Sequence, residues 1–473
     1  MKKLCIYLML FVLAFNFSVL PVFASQIETT EPTNSNQSET TLVEDIAGLD
    51  APGAILGTEK LVNNVKAAVV YEANSGTMMY SWNADAPLYP ASFVKLMTAL
   101  LAIEKGNLAD EVVVSETVKN SIPIDAVSIK LSVGEVVTLE NLLYGLIVGS
   151  GNDAAVVIAE HISGSETKFV ELMNERAREM GCIGTNFTNV HGLHDENQCI
   201  TARDAAKMLD AALKNEVFYK MFSTVSFDIP ATNKSAVRNL MTGNSLMDKT
   251  SRLYFDSRAI GGRTGVTNDG RRCLAAAAKS NGMFLITIVM GAESVYQDDG
   301  YSAISVGGYK ETSDLLDLCD SKYKAAQILY PGQILRQMSV ADGLNDLTIG
   351  PNETLMAVLP KDAVVSDLDF RYVDRILKAP ISKGDLISQV QVWSDGMCIA
   401  QADMFAMNNV AVRNADVHED EADATDGLAV VLSVITVAIV IAVIMYYAKR
   451  FNLIGRLRSK TRIKRRNRRR GRS

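Results

Sequence analysis

Cysteine is scarce, six residues in a chain of 473. Cys5 lies in an N-terminal segment read below as a cleaved signal. The other five (Cys182, Cys199, Cys273, Cys319 and Cys398) are odd in number and follow no framework spacing. This argues against a disulfide-stapled fold, and a chain of this length builds a core without one. Acidic residues are missing from both ends. Residues 1–24 hold Lys2, Lys3 and no acid, and residues 427–473 hold 13 Lys and Arg and no acid. Setting those 15 aside leaves 32 of the 47 basic residues against all 54 acidic ones, so the body carries a net charge of −22. A body of that sign argues against nucleic acid as its partner. No internal repeat is present.

The two ends account for the asymmetry. "MKKLCIYLMLFVLAFNFSVLPVFAS" has a basic start, an apolar stretch and the small-residue pattern Val22-Phe23-Ala24. It reads as a secretory signal peptide cleaved after Ala24. "GLAVVLSVITVAIVIAVIMYYA" (Gly427–Ala448) is uncharged and long enough to span a bilayer as a helix. Tyr446 and Tyr447 mark its interface, and the basic tail 449–473 places that end in the cytoplasm by the positive-inside rule. The expected location is therefore the cell membrane, crossed once, with the body facing outward.

Between the ends, residues 25–60 are polar, acidic and rich in Ser and Thr, a disordered spacer by composition. "KAAVVYEANSGTMMYSWNAD" predicts two strands joined at Asn74-Ser75-Gly76. Several helical segments follow to about residue 215, among them "TLENLLYGLIVG" and "ETKFVELMNERAREMG". "AIGGRTGVT", "RRCLAAAAKS" and "MFLITIVMGA" then read as three consecutive strands. They are separated by the hairpin signals Asn268-Asp269-Gly270 and Ser280-Asn281-Gly282. "KETSDLLDLCDSKYKAAQIL" predicts a closing helix. Residues 337–412 show short alternating runs with turn residues, a separate small β domain, and 413–426 form a charged linker.

Chemistry enters at "YPASFVKLMTALLAIEKG". Ser92 and Lys95 stand three apart and share one helix face. Pro90 puts Ser92 in the first turn, where the positive helix end favours charge on the attacking oxygen. Phe93, Val94, Leu96 and Met97 surround Lys95, and desolvation makes a neutral amine available as base. The spacing alone is weak, since Ser165–Lys168 and Ser321–Lys324 repeat it. A second piece, "LIVGSGNDAAVVIAEHI", sets Ser150-Gly151-Asn152 in a loop between two apolar helices. Read alone, a plain helix cap by Ser150 or Asn152 is the competing explanation. A third, "GGRTGVTNDG", puts Arg263, Thr264 and Gly265 on a strand, a cation and a hydroxyl side by side that suit a carboxylate. Cys182, His191, His194 and Cys199 have zinc-ligand chemistry but fit no usual zinc spacing, so no metal is expected.

In this order the three pieces resemble the Ser-x-x-Lys, Ser-x-Asn and Lys-Thr-Gly motifs of the penicillin-recognising serine enzymes. The wording around them, "APLYPASFVKLMTAL", "TLENLLYGLIVGSGNDAA", "GTNFTNVHGLHDENQCITARDAAKM" and "GGRTGVT", resembles the D-alanyl-D-alanine carboxypeptidases over residues 60–325, and more weakly to 412. The resemblance implies an α+β fold. A β-lactamase/transpeptidase-like domain (61–330), an antiparallel sheet flanked by helices with a helical lobe, precedes the β domain (337–412); the one C-terminal transmembrane helix read above departs from the family, whose members often use an amphipathic helix. It implies Ser92 as acylated nucleophile, Lys95 as its base, Ser150 as proton relay and Asn152 as the holder of the peptide backbone. Arg263 and Thr264 would meet the terminal carboxylate, with Gly265 between them and Val266, and the N–H groups of Ser92 and Val266 would form the oxyanion hole. The implied substrate is a peptidoglycan stem peptide ending in D-Ala-D-Ala, with β-lactams as inhibitors and no cofactor. The family usually has Lys where this chain has Arg263, which keeps the charge but does not release a proton. A D,D-endopeptidase, a β-lactamase and a non-catalytic wall-binding scaffold are the competing readings.

Overall fold

A computed structural model describes residues 55–296, 303–373, 376–394 and 396–413, together with 432, 434–447 and 449–450. The expected signal peptide, most of the spacer, nearly all of the charged linker and the tail from 451 onward lie outside the described residues.

Residues 67–292 supply a five-stranded antiparallel sheet. Its spatial order is Thr77–Trp82, Ala67–Glu72, Met283–Ala292, Arg272–Ser280 and Ala259–Val266. All five strands correspond to runs legible in the sequence. The turn at Asn281-Gly282 has positive φ at both residues (48° and 77°), as a tight hairpin demands. Strand alternation splits the side chains between two cores. Ala67, Val69 and Tyr71 face a helical lobe built on Val94–Lys105, Leu139–Ile147, Asn152–Ser163 and Ala202–Leu213. Ala68 and Val70 face Leu315, Leu316 and Cys319 of the helix Tyr309–Lys322. The Val94 helix is buried along most of its length, Leu96, Leu100 and Leu101 included. Each such leucine contributes roughly 1.5–3 kcal/mol by leaving water.

The closing helix expected over 310–329 stops at Lys322. Tyr323–Leu329 is instead a strand, paired antiparallel with Leu355–Pro360. The Lys-Ala-Ala-Gln stretch has good helix propensity, but Ile328 and Leu329 are buried in the core of the following β unit, and that packing wins. The β unit carries a second five-stranded sheet in the order Arg336–Met338, Leu347–Gly350, Met397–Ala406, Leu386–Ser394 and Asp369–Val373. Leu347, Ile349, Val390, Val392 and Met404 form its centre.

Among the described residues no helix is long and apolar enough to cross a membrane. The expected span Gly427–Ala448 lies partly outside them. Within it residues 434–447 are helical, and their Val, Ile and Met side chains are exposed.

Candidate active site

The chain enters the Val94 helix through Pro90 and a single 3-10 turn, Ala91–Phe93, so Ser92 stands one step ahead of the α-helix rather than inside its first turn. Ala91 has φ +46°, a left-handed conformation that costs a non-glycine residue roughly 1–2 kcal/mol. Two glycines hold it there. A Cβ on Gly192 would lie 1.9 Å from the Ala91 carbonyl oxygen, and a Cβ on Gly265 would lie 2.9 Å from both the Ala91 Cβ and the Ser92 nitrogen. A loop and a strand therefore close on the serine from two sides at distances only glycine permits. Ser92 itself is half-buried.

Lys95 is 1% exposed, and its Nζ lies 3.4 Å from the Ser92 Oγ. The same ammonium donates to the carbonyl of His191. Burial holds its pKa well below the ordinary 10.5, the Arg263 charge pushes the same way, and Asp153 opposes both. An amine that is easily neutral, beside a hydroxyl, is a base in reach of a nucleophile.

The His191 carbonyl is a participant that the sequence did not reveal. Asn189 Oδ1 accepts from the His191 and Gly192 nitrogens (3.3 and 2.7 Å), and Thr98 Oγ1 donates to the Val190 carbonyl at 2.7 Å. The imidazole Nδ1 accepts from the Leu193 nitrogen at 3.2 Å, so the ring proton sits on Nε2, 3.7 Å from Glu166 Oε1. Burial, and then the charge on Lys95, lower the His191 pKa to about 4 and keep the ring neutral. Among the described residues no group of three His, Cys, Asp or Glu is placed to hold a metal. The Cys182 and Cys199 thiols turn to the carbonyls of Asp204 and Gly184 instead.

Ser150 has φ +59° in the loop between the helices Leu139–Ile147 and Asn152–Ser163. Neither it nor Asn152 caps the second helix. Gly151 occupies the cap position, and no side chain bonds there. Asn152 is the first helical residue and is 4% exposed, and its Oδ1 is buried with no hydrogen-bond partner among the described residues. A buried amide oxygen so placed is costly unless it accepts from something bound. Asp153 beside it accepts from the Ile129, Ala154 and Leu131 nitrogens and from Ser128 Oγ (3.0, 2.9, 2.9 and 3.1 Å), which fixes the neighbouring 128–131 segment.

Arg263 gathers these pieces. It is 4% exposed, and among the described residues it has no carboxylate partner. Nε donates to the Ser92 carbonyl (3.4 Å), Nη1 to the carbonyls of Leu146 and Ile147 (3.3 and 2.9 Å), and Nη2 to Ser150 Oγ (2.5 Å). Four of its five N–H groups thus go to the protein, which leaves one on Nη2. Its Leu146 and Ile147 partners belong to the C-terminal end of a helix, where exposed carbonyls favour a cation. Burial lowers its pKa to about 10, which still leaves it charged at neutral pH. Thr264 is half-buried and Val266 exposed on the same strand, which is the edge of the sheet, so its outer N–H and C=O groups are free to pair with an extended peptide.

A serine hydroxyl, a desolvated lysine, a second serine held by a fixed cation and an open strand edge make up the equipment of a serine acyl-transfer hydrolase that dispenses with histidine as base. Residues 58–294 match the family described as D-alanyl-D-alanine carboxypeptidase. The chain is 33% identical over 353 residues to the D-alanyl-D-alanine carboxypeptidase DacA of Haemophilus influenzae, covering 72% of this chain and 84% of that protein. It is 30% identical over 361 residues to the DacF carboxypeptidase of Bacillus subtilis, covering 75% and 87%. The solved structure of penicillin binding protein 5 from Haemophilus influenzae superposes with a TM-score of 0.64 at 32% identity, over 75% of this chain and all of that one. The chain belongs to the D-alanyl-D-alanine carboxypeptidase family, and its activity is that of a serine D,D-carboxypeptidase.

Proposed function

We propose that the carboxypeptidase reaction of this chain runs through Ser92, with Lys95 as its base. The substrate class is a peptidoglycan stem peptide ending in D-Ala-D-Ala. Neutral Lys95 takes the Ser92 proton as Oγ attacks the carbonyl of the penultimate D-Ala. The developing oxyanion is met by the N–H groups of Ser92 and Val266, and a preorganised donor of this kind is worth about 3 kcal/mol. The proton passes from Lys95 through Ser150 to the departing amine, the C–N bond breaks, and the terminal D-Ala leaves. Water activated by Lys95 then attacks the ester and frees the serine. Asn152 holds the peptide backbone. Thr264, with the remaining Arg263 N–H, meets the terminal carboxylate, and Gly265 lets the strand close on the serine. A β-lactam follows the same first step, but its leaving amine stays tethered and the ester persists.

The observation that carries this assignment is the contact of Lys95 Nζ with Ser92 Oγ at 3.4 Å, with the amine buried. The test is labelling of the full chain with a fluorescent penicillin, peptide mapping of the adduct, and an assay of D-Ala release. The expected result is a single adduct on Ser92 that is lost in Ser92→Ala and in Lys95→Ala. Labelling that survives Ser92→Ala overturns the assignment.

The location belongs to the same proposal. The signal sequence exports the body, Gly427–Ala448 anchors it in the membrane, and the basic tail stays inside, with 61–330 as catalytic domain and 337–412 as the β domain between it and the membrane. The apolar, exposed side chains of helix 434–447 support the anchor. Alkaline extraction of membranes tests it, since deletion of 427–473 is expected to release the protein.

A further inference from the structure

The β unit carries a cavity of its own, about 350 Å³, between the loop 351–354 and residues 401–405 of the strand Met397–Ala406. That volume falls among small-ligand sites, which span roughly 300–1,000 Å³. Val390, Val392, Ala400 and Met404 point into the core of the unit, so by strand alternation Gln389, Gln391, Gln401, Asp403 and Phe405 point outward. The register sets Gln391 opposite Gln401 and Gln389 opposite Asp403. Where the cavity opens, the outer face of the sheet therefore offers amides, a carboxylate and a ring.

This face is held in place. Trp393 Nε1 donates to Gln391 Oε1 at 3.2 Å, and the Arg371 guanidinium lies 4.2 Å over the indole. Gln389 Nε2 donates to Asp403 Oδ1 at 3.4 Å. Gln401 Oε1, in the cavity wall, is buried and has no hydrogen-bond partner among the described residues. Such an oxygen is costly unless a bound group donates to it. The carboxylates of Glu353 and Asp403 stand on the exposed rim, and among the described residues neither pairs with a cation. An ammonium gains little from acids that water reaches. A hydroxyl or an amide N–H gives the buried oxygen what it lacks. Leu355 and Phe405 add apolar wall. Gln401 and Phe405 stand four residues apart, about 13 Å along the strand. A ligand that reaches both is extended, donates hydrogen bonds along its length and turns C–H groups to a ring. A chain of sugar rings has that chemistry.

We propose that this cavity is a second binding site, separate from the cleft at Ser92, and that its occupant is a neutral stretch of the glycan chain to which the stem peptides are attached. The choice of that glycan rests on the carboxypeptidase reading; the preference for a neutral saccharide does not. Held there, the protein stays on the polymer while the cleft works on successive peptides. The test is the affinity of the full-length protein in detergent for tetra-N-acetylchitotetraose, a soluble chain of neutral acetylated sugar rings, and for its deacetylated counterpart, which carries ammonium groups. The expected result is binding of the neutral chain, undisturbed by penicillin, with a Kd raised about tenfold in Gln401→Met, the scale of one lost hydrogen bond. That variant keeps the length of the side chain, and its penicillin labelling is expected to match the parent's. Phe405→Leu, at the other end of the cavity, removes the ring and is expected to raise the Kd as well. No binding of the neutral chain, tighter binding of the ammonium chain, displacement by penicillin, or a Kd unmoved in Gln401→Met overturns the site, while D-Ala release leaves the carboxypeptidase reading standing. Binding as expected by a protein that releases no D-Ala and takes no penicillin retains the saccharide site and overturns the choice of glycan together with that reading.

Discussion

The Arg263 guanidinium donates to the Ser150 hydroxyl at 2.5 Å, from a position that also ties down the Ser92 carbonyl and a helix end. Because Ser150 Oγ accepts from a group that keeps its proton at neutral pH, its own O–H is directed elsewhere. Burial does most to keep Lys95 short of its proton, and the same fixed charge adds to it. Replacing it with alanine removes both effects. Arg263→Ala is expected to slow penicillin acylation about a hundredfold, the scale of losing a preorganised donor. Arg263→Lys should recover part of the rate, since it keeps the charge but offers three donors for four acceptors. Stopped-flow acylation rates check both, and an Arg263→Ala rate equal to the parent's rejects the role.

Lys95 gives a pH signature. Its folded pKa lies well below the ordinary 10.5, so between those two values the unfolded chain binds a proton that the folded chain does not. Stability from this group therefore rises as pH rises through that window, and is lost as pH falls through it from 10.5 toward the folded pKa. Lys95→Met should flatten this part of the profile, read as urea midpoints at a series of pH values. Acylation in the unaltered protein should instead climb as pH rises through the folded pKa, where the neutral amine accumulates, and level off above it, and Lys95→Met should show none.

Asn152 separates binding from folding. Its Oδ1 has no partner among the described residues, so Asn152→Ala removes little that holds the fold together. A lost hydrogen bond to bound peptide is worth about 1–3 kcal/mol, so kcat/KM for D-Ala release should fall roughly 5- to 150-fold with a nearly unchanged melting temperature. A large thermal loss with unchanged kinetics would invert the assignment.

Gly192 should behave in the opposite way. At φ +86°, with the Ala91 carbonyl where a Cβ would go, it leaves Gly192→Ala no accommodating geometry short of moving the nucleophile turn. The expected loss is about 2–4 kcal/mol in denaturant unfolding, together with abolished acylation.

Much of this site was legible because its chemistry demands residue types at fixed intervals. Ser92 and Lys95 stand three apart, one on the 3-10 turn and the other on the helix it leads into, and Arg263 and Thr264 sit on a strand between glycines. What stayed hidden acts through the backbone or through tertiary choice. The His191 carbonyl carries no side-chain signal, so the ring drew attention as a zinc ligand while its oxygen reaches Lys95. Arg263 was read as facing a ligand carboxylate, yet most of its donors turn inward, because only the folded helix end reveals the carbonyls that attract them. Lys324–Gln327 reads as helix in isolation and becomes strand once Leu355–Pro360 stands beside it. The hairpin Ser226–Ile229 with Arg238–Met241 was likewise not read from its short, mostly polar runs.

That strand has one more consequence. Tyr323 follows Lys322 with no spacer, and Val358, from the strand paired with it, is buried in the same core as Leu315 and Leu316. Lys361 closes the junction by bonding through its backbone to the Lys322 carbonyl at 2.8 Å. The catalytic unit and the β unit therefore meet without a seam. A protease has no slack loop to cut between them, and melting one withdraws a wall from the other, so the two units are expected to be lost together on heating.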